Sequence, residues 1–502
     1  MVPKTDIGAL KMKKCMILLL AVLLALSCAG CGGPKQVSGI TCSVTIDNTI
    51  MEGLFSGTAE KKQPNGQGTF QYSDDSVFLS YTGTWEYGVP VGTGELKYEG
   101  FKMNHNGTVY TGDYRGEALA GVPHGNGTFT ATEKGVVFSY SGNWENGVPA
   151  GAGTLKYDRF QVKYDGIVYE GLYDGETLAG IPNGTGTFTA SGDAVFVYSG
   201  QWAEGDLSGD GQLECDSMTI DYDGHTVTGS YNGAVTDGVP NGYGDFGTGD
   251  KASFLVYFGN WEMGSFRGEG TLDTNLYTVH FQDGVNRMGH YAGDAVDGIA
   301  EGNGSFAAIN DSGISYLYVG EWKNGLYNGQ GDVRWEDGSS AAQVGTFTDG
   351  EFTPTPAEYF VARGTYPEKP YSISADAYEF LKTYPDVFLN NEVTDPAIQY
   401  EYNFQYNAYS KNPTLYGSKL VTLYSLRVVQ IFEDEYWGAP HTFMIARDGA
   451  HNIYYINMYG HCPGVYEDRY INITVLPLDY FTYPNISGTK TWAIACAGVR
   501  IN

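Results

Sequence analysis

Residues Tyr140–Leu155 read Y-S-G-N-W-E-N-G-V-P-A-G-A-G-T-L, and Tyr318–Val333 read Y-V-G-E-W-K-N-G-L-Y-N-G-Q-G-D-V. Both stretches carry a glycine, an aromatic ring two residues later, an N-G turn and a closing G-x-G pair. The anchoring glycine recurs at Gly53, Gly83, Gly112, Gly142, Gly171, Gly200, Gly229, Gly259, Gly289 and Gly320. The aromatic after it is Phe55, Trp85, Tyr114, Trp144, Tyr173, Trp202, Tyr231, Trp261, Tyr291 or Trp322. From anchor to G-x-G the interval alternates between 13 residues in the Phe/Tyr units and 9 in the Trp units. The true period is therefore a double unit, 59 residues from Gly83 to Gly142.

Between these motifs the chain alternates side chains around tight turns, as in F-T-A-T-E-K-G-V-V-F-S-Y-S-G at Phe129–Gly142. That is the pattern of a β-hairpin. A G-x-G inside a strand marks a place where the strand bends or another backbone comes too close for a Cβ. A lone hairpin is marginal in water, so each aromatic must pack on the neighbouring hairpin and build one continuous core. Ten hairpins predict about twenty strands in an elongated antiparallel ribbon over residues 44–352.

These residues resemble the MORN repeat, whose consensus Y-x-G-x-W-x-x-G-x-x-x-G-x-G they follow across about residues 50–350. The units here are longer than the usual ones, through insertions such as E-A-L-A after Gly116. The resemblance implies a binding scaffold. In other members it is linked to phosphoinositides and membranes, but residues 44–352 hold 14 basic and 42 acidic side chains, a net charge of −28. Such a surface is repelled by anionic headgroups. It is also wrong for nucleic acid, which requires Lys and Arg to displace counterions. A phosphate-cradling role for G-x-G requires a helix start after the loop, which strands do not offer. D-Y-D-G at Asp221–Gly224 reads as a hairpin turn, not a calcium loop.

Over the whole chain the composition agrees: 502 residues, 70 glycines, 40 tyrosines and a formal net charge of −29. The aromatic fraction of 14 % argues against disorder. The aromatics in register with the glycines read as repeat core. Tyr72, Tyr98 and Tyr157 fall outside that register and could instead form platforms for sugar rings.

At the N-terminus, Lys11, Lys13 and Lys14 precede an apolar run from Met16 to Leu26, then S-C-A-G-C. The charged, apolar and small-residue regions follow the order of a secretory signal, with either Met1 or Met12 as its start. The cysteines make the segment resemble a bacterial lipoprotein signal peptide. That resemblance implies residues 1–31 as signal, lipidation at Cys31 with Cys28 as the alternative, a tether over 32–43, and an extracytoplasmic protein held at the cell membrane. A plain secretory signal is the competing reading. Four further cysteines, Cys42, Cys215, Cys462 and Cys496, are too scattered for a disulfide framework. Cys462 and Cys496 could pair or simply be buried small hydrophobes.

The glycine rhythm stops after Phe352. Residues 353–397 read as a linker containing one short helix, A-D-A-Y-E-F-L-K-T-Y, N-capped by Ser374 and ended before Pro385. Five alternating strands follow within residues 398–502. Their number and order resemble an OB-fold-type small barrel. N-P-T-L-Y-G at Asn412, V-V-Q-I-F-E at Val428 and P-N-I-S-G at Pro484 are similar to the barrel that ends surface lipoproteins of Gram-positive bacteria. His441, His451, His461 and Cys462 form no recognisable catalytic pattern. Nor is there a metal-binding spacing or a cofactor motif.

The fold class expected is mainly β, a hairpin-repeat ribbon followed by an OB-like barrel. The function expected is a non-enzymatic surface lipoprotein whose ribbon binds a protein or envelope polymer. Alternatives are a glycan-binding module using the three tyrosines, and an envelope enzyme.

Overall fold

A computed structural model describes residues 33–46, 49–75, 77–281, 284–338, 342–366, 370–437, 439–484 and 488–502. Cys28 and Cys31 lie outside them. Residues 35–352 supply 23 strands assigned to one sheet, the first Lys35–Ile46 and the last Glu351–Phe352. Residues 35–43, expected as tether, thus belong to the first strand, which pairs antiparallel with Thr49–Glu60. The described residues divide into two compact units, one of those up to Met218 with Ser230–Gly242, and one of Thr219–Gly229 with Tyr243–Asn502.

In the first unit, successive strands pair antiparallel with the strands before and after them in the chain. Two-residue turns join many of them. At Asn146–Gly147 both residues have positive φ, 52° and 82°, the turn whose twist matches that of paired strands. The turn amide also reaches the previous hairpin. Gly147 N donates to Pro123 O at 3.0 Å, and Gly205 N donates to Pro182 O at 3.0 Å.

Across each group of four strands the glycines face one another, as in Gly116–Gly127–Gly142–Gly153. A tyrosine ring lies over this row. A Cβ at Gly153 would stand 2.5 Å from Tyr140 Oη, closer than any side chain tolerates. The hydroxyl of Tyr140 donates to Asn143 O at 2.9 Å, and that of Tyr114 donates to Glu117 O at 2.6 Å. Trp144 then stands edge-on to both rings, at 5.4 and 5.0 Å, an arrangement favoured by ring quadrupoles. Its Nε1–H donates to Gly127 O at 3.0 Å.

The second unit continues the pattern in strands such as Leu255–Glu262 and Ser265–His280, and ends in the C-terminal domain. Helix Pro356–Gly364 begins with a capping box between Thr355 and Glu358. The Glu358 carboxylate also accepts from Thr346 N at 3.1 Å and Gln330 Nε2 at 3.0 Å. One carboxylate therefore caps the helix and binds the final repeat strands.

Two expectations are corrected here. Residues 353–397 carry three helices, Pro356–Gly364, Ala375–Thr383 and Pro385–Leu389, where one helix in a linker was expected. Phe360, Leu381 and Phe388 from these helices enter the same core as Leu478 and Val499 of the sheet, so the segment is part of the domain. The second correction concerns the OB-like barrel. The domain is a mixed six-stranded sheet that is not closed into a barrel. A short parallel edge strand, Tyr400–Glu401, is added to Leu420–Tyr436. The long strand divides its length between two neighbours: Val421–Arg427 pair with Tyr470–Pro484, and Arg427–Tyr436 with Ala439–Arg447. Arg427 is the residue paired on both sides in these registers. Apolar side chains fill both faces. One face meets the helices, and the other buries Val428, Met444, Ile456 and Cys496. All four described cysteines are buried and free, so Cys462 and Cys496 are not paired.

Candidate binding surface

The ten in-register aromatics are all at most 3 % exposed. Their faces are used up in packing. The anchoring glycines fall into two kinds. A Cβ at Gly142, Gly200, Gly259 or Gly320 would meet the hydroxyl of the tyrosine two residues earlier, and one at Gly112, Gly229 or Gly289 would meet the ring of Phe129, Phe246 or Phe306, in each case together with neighbouring backbone. Gly53 and Gly83 follow the same division, and Gly171 is closed off by the backbone at Thr189 and Ala190.

Tyr72, Tyr98 and Tyr157 are each half-buried, and the fold gives them separate surroundings. Tyr72 donates to Asp74 Oδ2 at 2.6 Å. Tyr98 packs on Phe101 at 5.6 Å. Tyr157 accepts from Tyr110 Oη at 3.0 Å and lies 5.3 Å from Phe138. In the C-terminal domain His441 is buried, and desolvation together with the Arg363 charge pushes its pKa down to about 4. His451 sits in a turn, its N–H donating to Asp448 O. The Cys462 thiol faces Met458 Sδ at 3.7 Å. Among the described residues no group of three or more His, Cys, Asp or Glu is placed to hold a metal ion. No described helix is long and apolar enough to cross a membrane.

The sequence reading missed a second periodic series. The strands Val89–His105, Val148–Tyr164, Asp206–Tyr222 and Ser265–His280 are 16 or 17 residues long, and their ends overhang later turns. Ile46, His105, Tyr164, Tyr222 and Phe281 lie against Gly121, Gly180, Gly238, Gly298 and Gly350 respectively. Each overhanging residue precedes a hairpin tip, a signal visible in the sequence once the 59-residue period is used. Burial lowers the pKa of His105, whose ring is 5.0 Å from that of Phe138.

In the second unit one overhang forms a cleft. The Tyr222 hydroxyl donates to Gly298 O at 3.1 Å, and a cavity of about 460 Å³ opens beneath it. Trp261, Phe266 and Tyr277 supply its apolar wall, while Asp221, Asp223 and Asp297 lie on its polar side. Phe266 stacks on Tyr257 at 3.9 Å and meets Trp261 edge-on at 4.7 Å. The same place in the other Trp units is Pro90, Pro149, Leu207 or Tyr327. Asp297 is held by Gly268 N at 2.7 Å and by Arg267. An aromatic wall beside fixed carboxylates suits a partly apolar, positively charged ligand.

Comparison with known proteins agrees with the repeat reading over part of the chain. The MORN repeat model matches residues 56–77, 81–100, 114–133, 140–159 and 318–340. Alsin from Homo sapiens is 26 % identical over 180 residues, and alsin from Mus musculus is 26 % identical over 183. Each alignment covers 36 % of this chain and 9 % of alsin, so the chain spans less than a tenth of the relatives it matches.

Proposed function

We propose that the chain is a non-enzymatic repeat scaffold that binds a protein through the cleft under Tyr222. The observation that carries this reading is the cleft itself, in which Phe266 adds a ring beside Trp261 where two other units have proline. The repeat sheet supplies rigidity, since its backbone is held in a hydrogen-bonded ladder and little ordering entropy remains to oppose binding. A photo-crosslinking residue at Ser265, used on intact envelopes, tests it. A protein adduct is expected, and Phe266→Pro is expected to reduce it severalfold while leaving the fold intact. If no protein adduct forms, the reading fails.

The same proposal places the scaffold outside the cytoplasm, anchored to the cell membrane through Cys31 or Cys28. Support for this comes from the sequence, in the order of basic, apolar and small residues before the cysteines. Labelling with a fatty-acid analogue should be lost in Cys31→Ser. Loss in Cys28→Ser instead would move the anchor, and label retained in both would remove it.

A further inference from the structure

The outer face of the repeat sheet is polar and nearly uniform, and one unit breaks it. The middle residue of G-x-G in the long units is Gln67, Asn126, Thr185 or Asn303, but Tyr243 in the fourth. The residue after that pair is Thr69, Thr128, Thr187 or Ser305, but Asp245 here. Across from it, before the anchoring glycine, stand Thr82, Ser141, Ser199 or Val319, but Phe258 here. Three departures at one spot are hard to assign to packing, because the other units fold without a ring or a carboxylate at these positions. Elsewhere these positions satisfy each other, as Thr69 and Thr82 do through hydroxyls 2.9 Å apart.

Here the two rings are exposed, Tyr243 by 62 % and Phe258 by 45 %. Both line an open cavity of about 530 Å³ together with Glu269, Thr271, Asp294 and Glu301. Phe258, Thr271 and Asp294 lie in one row across three adjacent strands, so they share a face. Asp294 and Glu301 each accept a backbone N–H, from Asn303 at 3.0 Å and Asn324 at 2.7 Å, which fixes their charges. Asp245 Oδ1 is buried and has no hydrogen-bond partner. A buried carboxylate oxygen without a donor is costly.

We infer that this outer face binds the arginine side chains of a basic peptide segment, with guanidinium planes laid on Phe258 and Tyr243 and hydrogen bonds to the carboxylates. Guanidinium stacks on aromatic faces and pairs with carboxylates at once. A second copy of this chain does not fit, because it brings the same −28 ribbon. The inference shares with the proposed function only the assumption of a protein partner, and it concerns a different surface from the Tyr222 cleft.

Calorimetric titration of the full chain with an acetylated, amidated peptide of alternating Ser and Arg tests it, with the citrulline peptide as the neutral isostere. The variant Tyr243→Asn/Asp245→Thr/Phe258→Ser takes each residue from another unit, so the sheet tolerates it. Expected are binding of the arginine peptide that weakens with salt, about tenfold weaker binding by the variant, and little binding of the citrulline peptide. Phe266→Pro should leave this titration unchanged, which separates the result from the fate of the cleft. The inference is overturned if the arginine peptide does not bind, if the citrulline peptide binds equally, or if the variant binds as the parent does. Salt-insensitive binding of a neutral oligosaccharide, lost in the variant, would assign the rings to a glycan instead.

Discussion

Trp144 in the repeats and Phe388 in the C-terminal domain are both buried, but their surroundings come from different distances along the chain. Trp144 packs on Tyr114, Phe129 and Tyr140 of its own and the preceding unit. Phe388 shares a core with Phe360, Leu381 and strand residues as far on as Val499. The domain is tied together by bonds such as Ser372 Oγ to Asp479 Oδ2 at 2.7 Å, across 107 residues of chain. In one region stability is a sum of neighbour terms; in the other it belongs to the whole domain.

That contrast predicts the largest effects. Trp144→Ala and Phe388→Ala should each cost about 3–5 kcal/mol. Hydrogen exchange read strand by strand should show the first loss confined to strands around Thr108–Tyr164, with Ala439–Arg447 still protected. The second loss should spread over all of residues 353–502. Should Trp144→Ala strip protection from Ala439–Arg447 as well, the distinction between the regions is wrong.

A pH titration sharpens it next. His441 has its pKa lowered from 6.5 to about 4, first by desolvation and then by Arg363. Between those values the unfolded chain binds a proton on this ring and the folded chain does not. Stability of the C-terminal domain therefore falls as pH falls through that window, by about 3 kcal/mol at 1.36 kcal/mol per unit. His105 is also held down by burial, so the first unit weakens in the same direction on acidification below 6.5. His105→Tyr, which installs the residue present at Tyr164 and Tyr222, should abolish the repeat response and leave that of His441 in place. A repeat response that survives His105→Tyr would assign the titration elsewhere.

The repeat strands were legible because the period wrote the same contact many times. The glycines, the aromatics and the alternating loop lengths each repeat with the strands, so one motif located nearly the whole sheet. What the sequence did not disclose was the atom that excludes the Cβ. At seven of the ten anchoring glycines it is neighbouring backbone, as at Gly112 and Gly142, and at Gly83, Gly200 and Gly259 it is a tyrosine of the same strand. Residues 353–397 were misread because their prolines, Pro354, Pro356, Pro367, Pro370, Pro385 and Pro396, signal turns and helix starts equally well. Pro356 and Pro385 open helices, where a missing N–H costs nothing. The barrel was misjudged for a different reason. Five strands of the right length and order were placed correctly, but how one long strand divides between two partners is not written in its alternation. The outer-face site at Tyr243, Asp245 and Phe258 was visible all along as a break in register. Reading for the consensus hid it.

The smallest effect tests what imposes the glycine row. Tyr140 Oη donates to Asn143 O at 2.9 Å and approaches Ala150 O at 3.4 Å, so Tyr140→Phe should cost about 1 kcal/mol. If the hydroxyl alone excluded a side chain at Gly153, the phenylalanine variant would tolerate Gly153→Ala. It should not, because a Cβ at Gly153 would also lie 2.6 Å from Tyr140 Cε2. The first unit already makes this substitution: Phe55 carries no hydroxyl, yet it lies over Gly57 and Gly68. Thermal denaturation of the single and double variants should therefore show Gly153→Ala destabilising by a similar 1–3 kcal/mol in either background. A double variant as stable as Tyr140→Phe alone would mean that the hydroxyl, not the ring, keeps these positions bare.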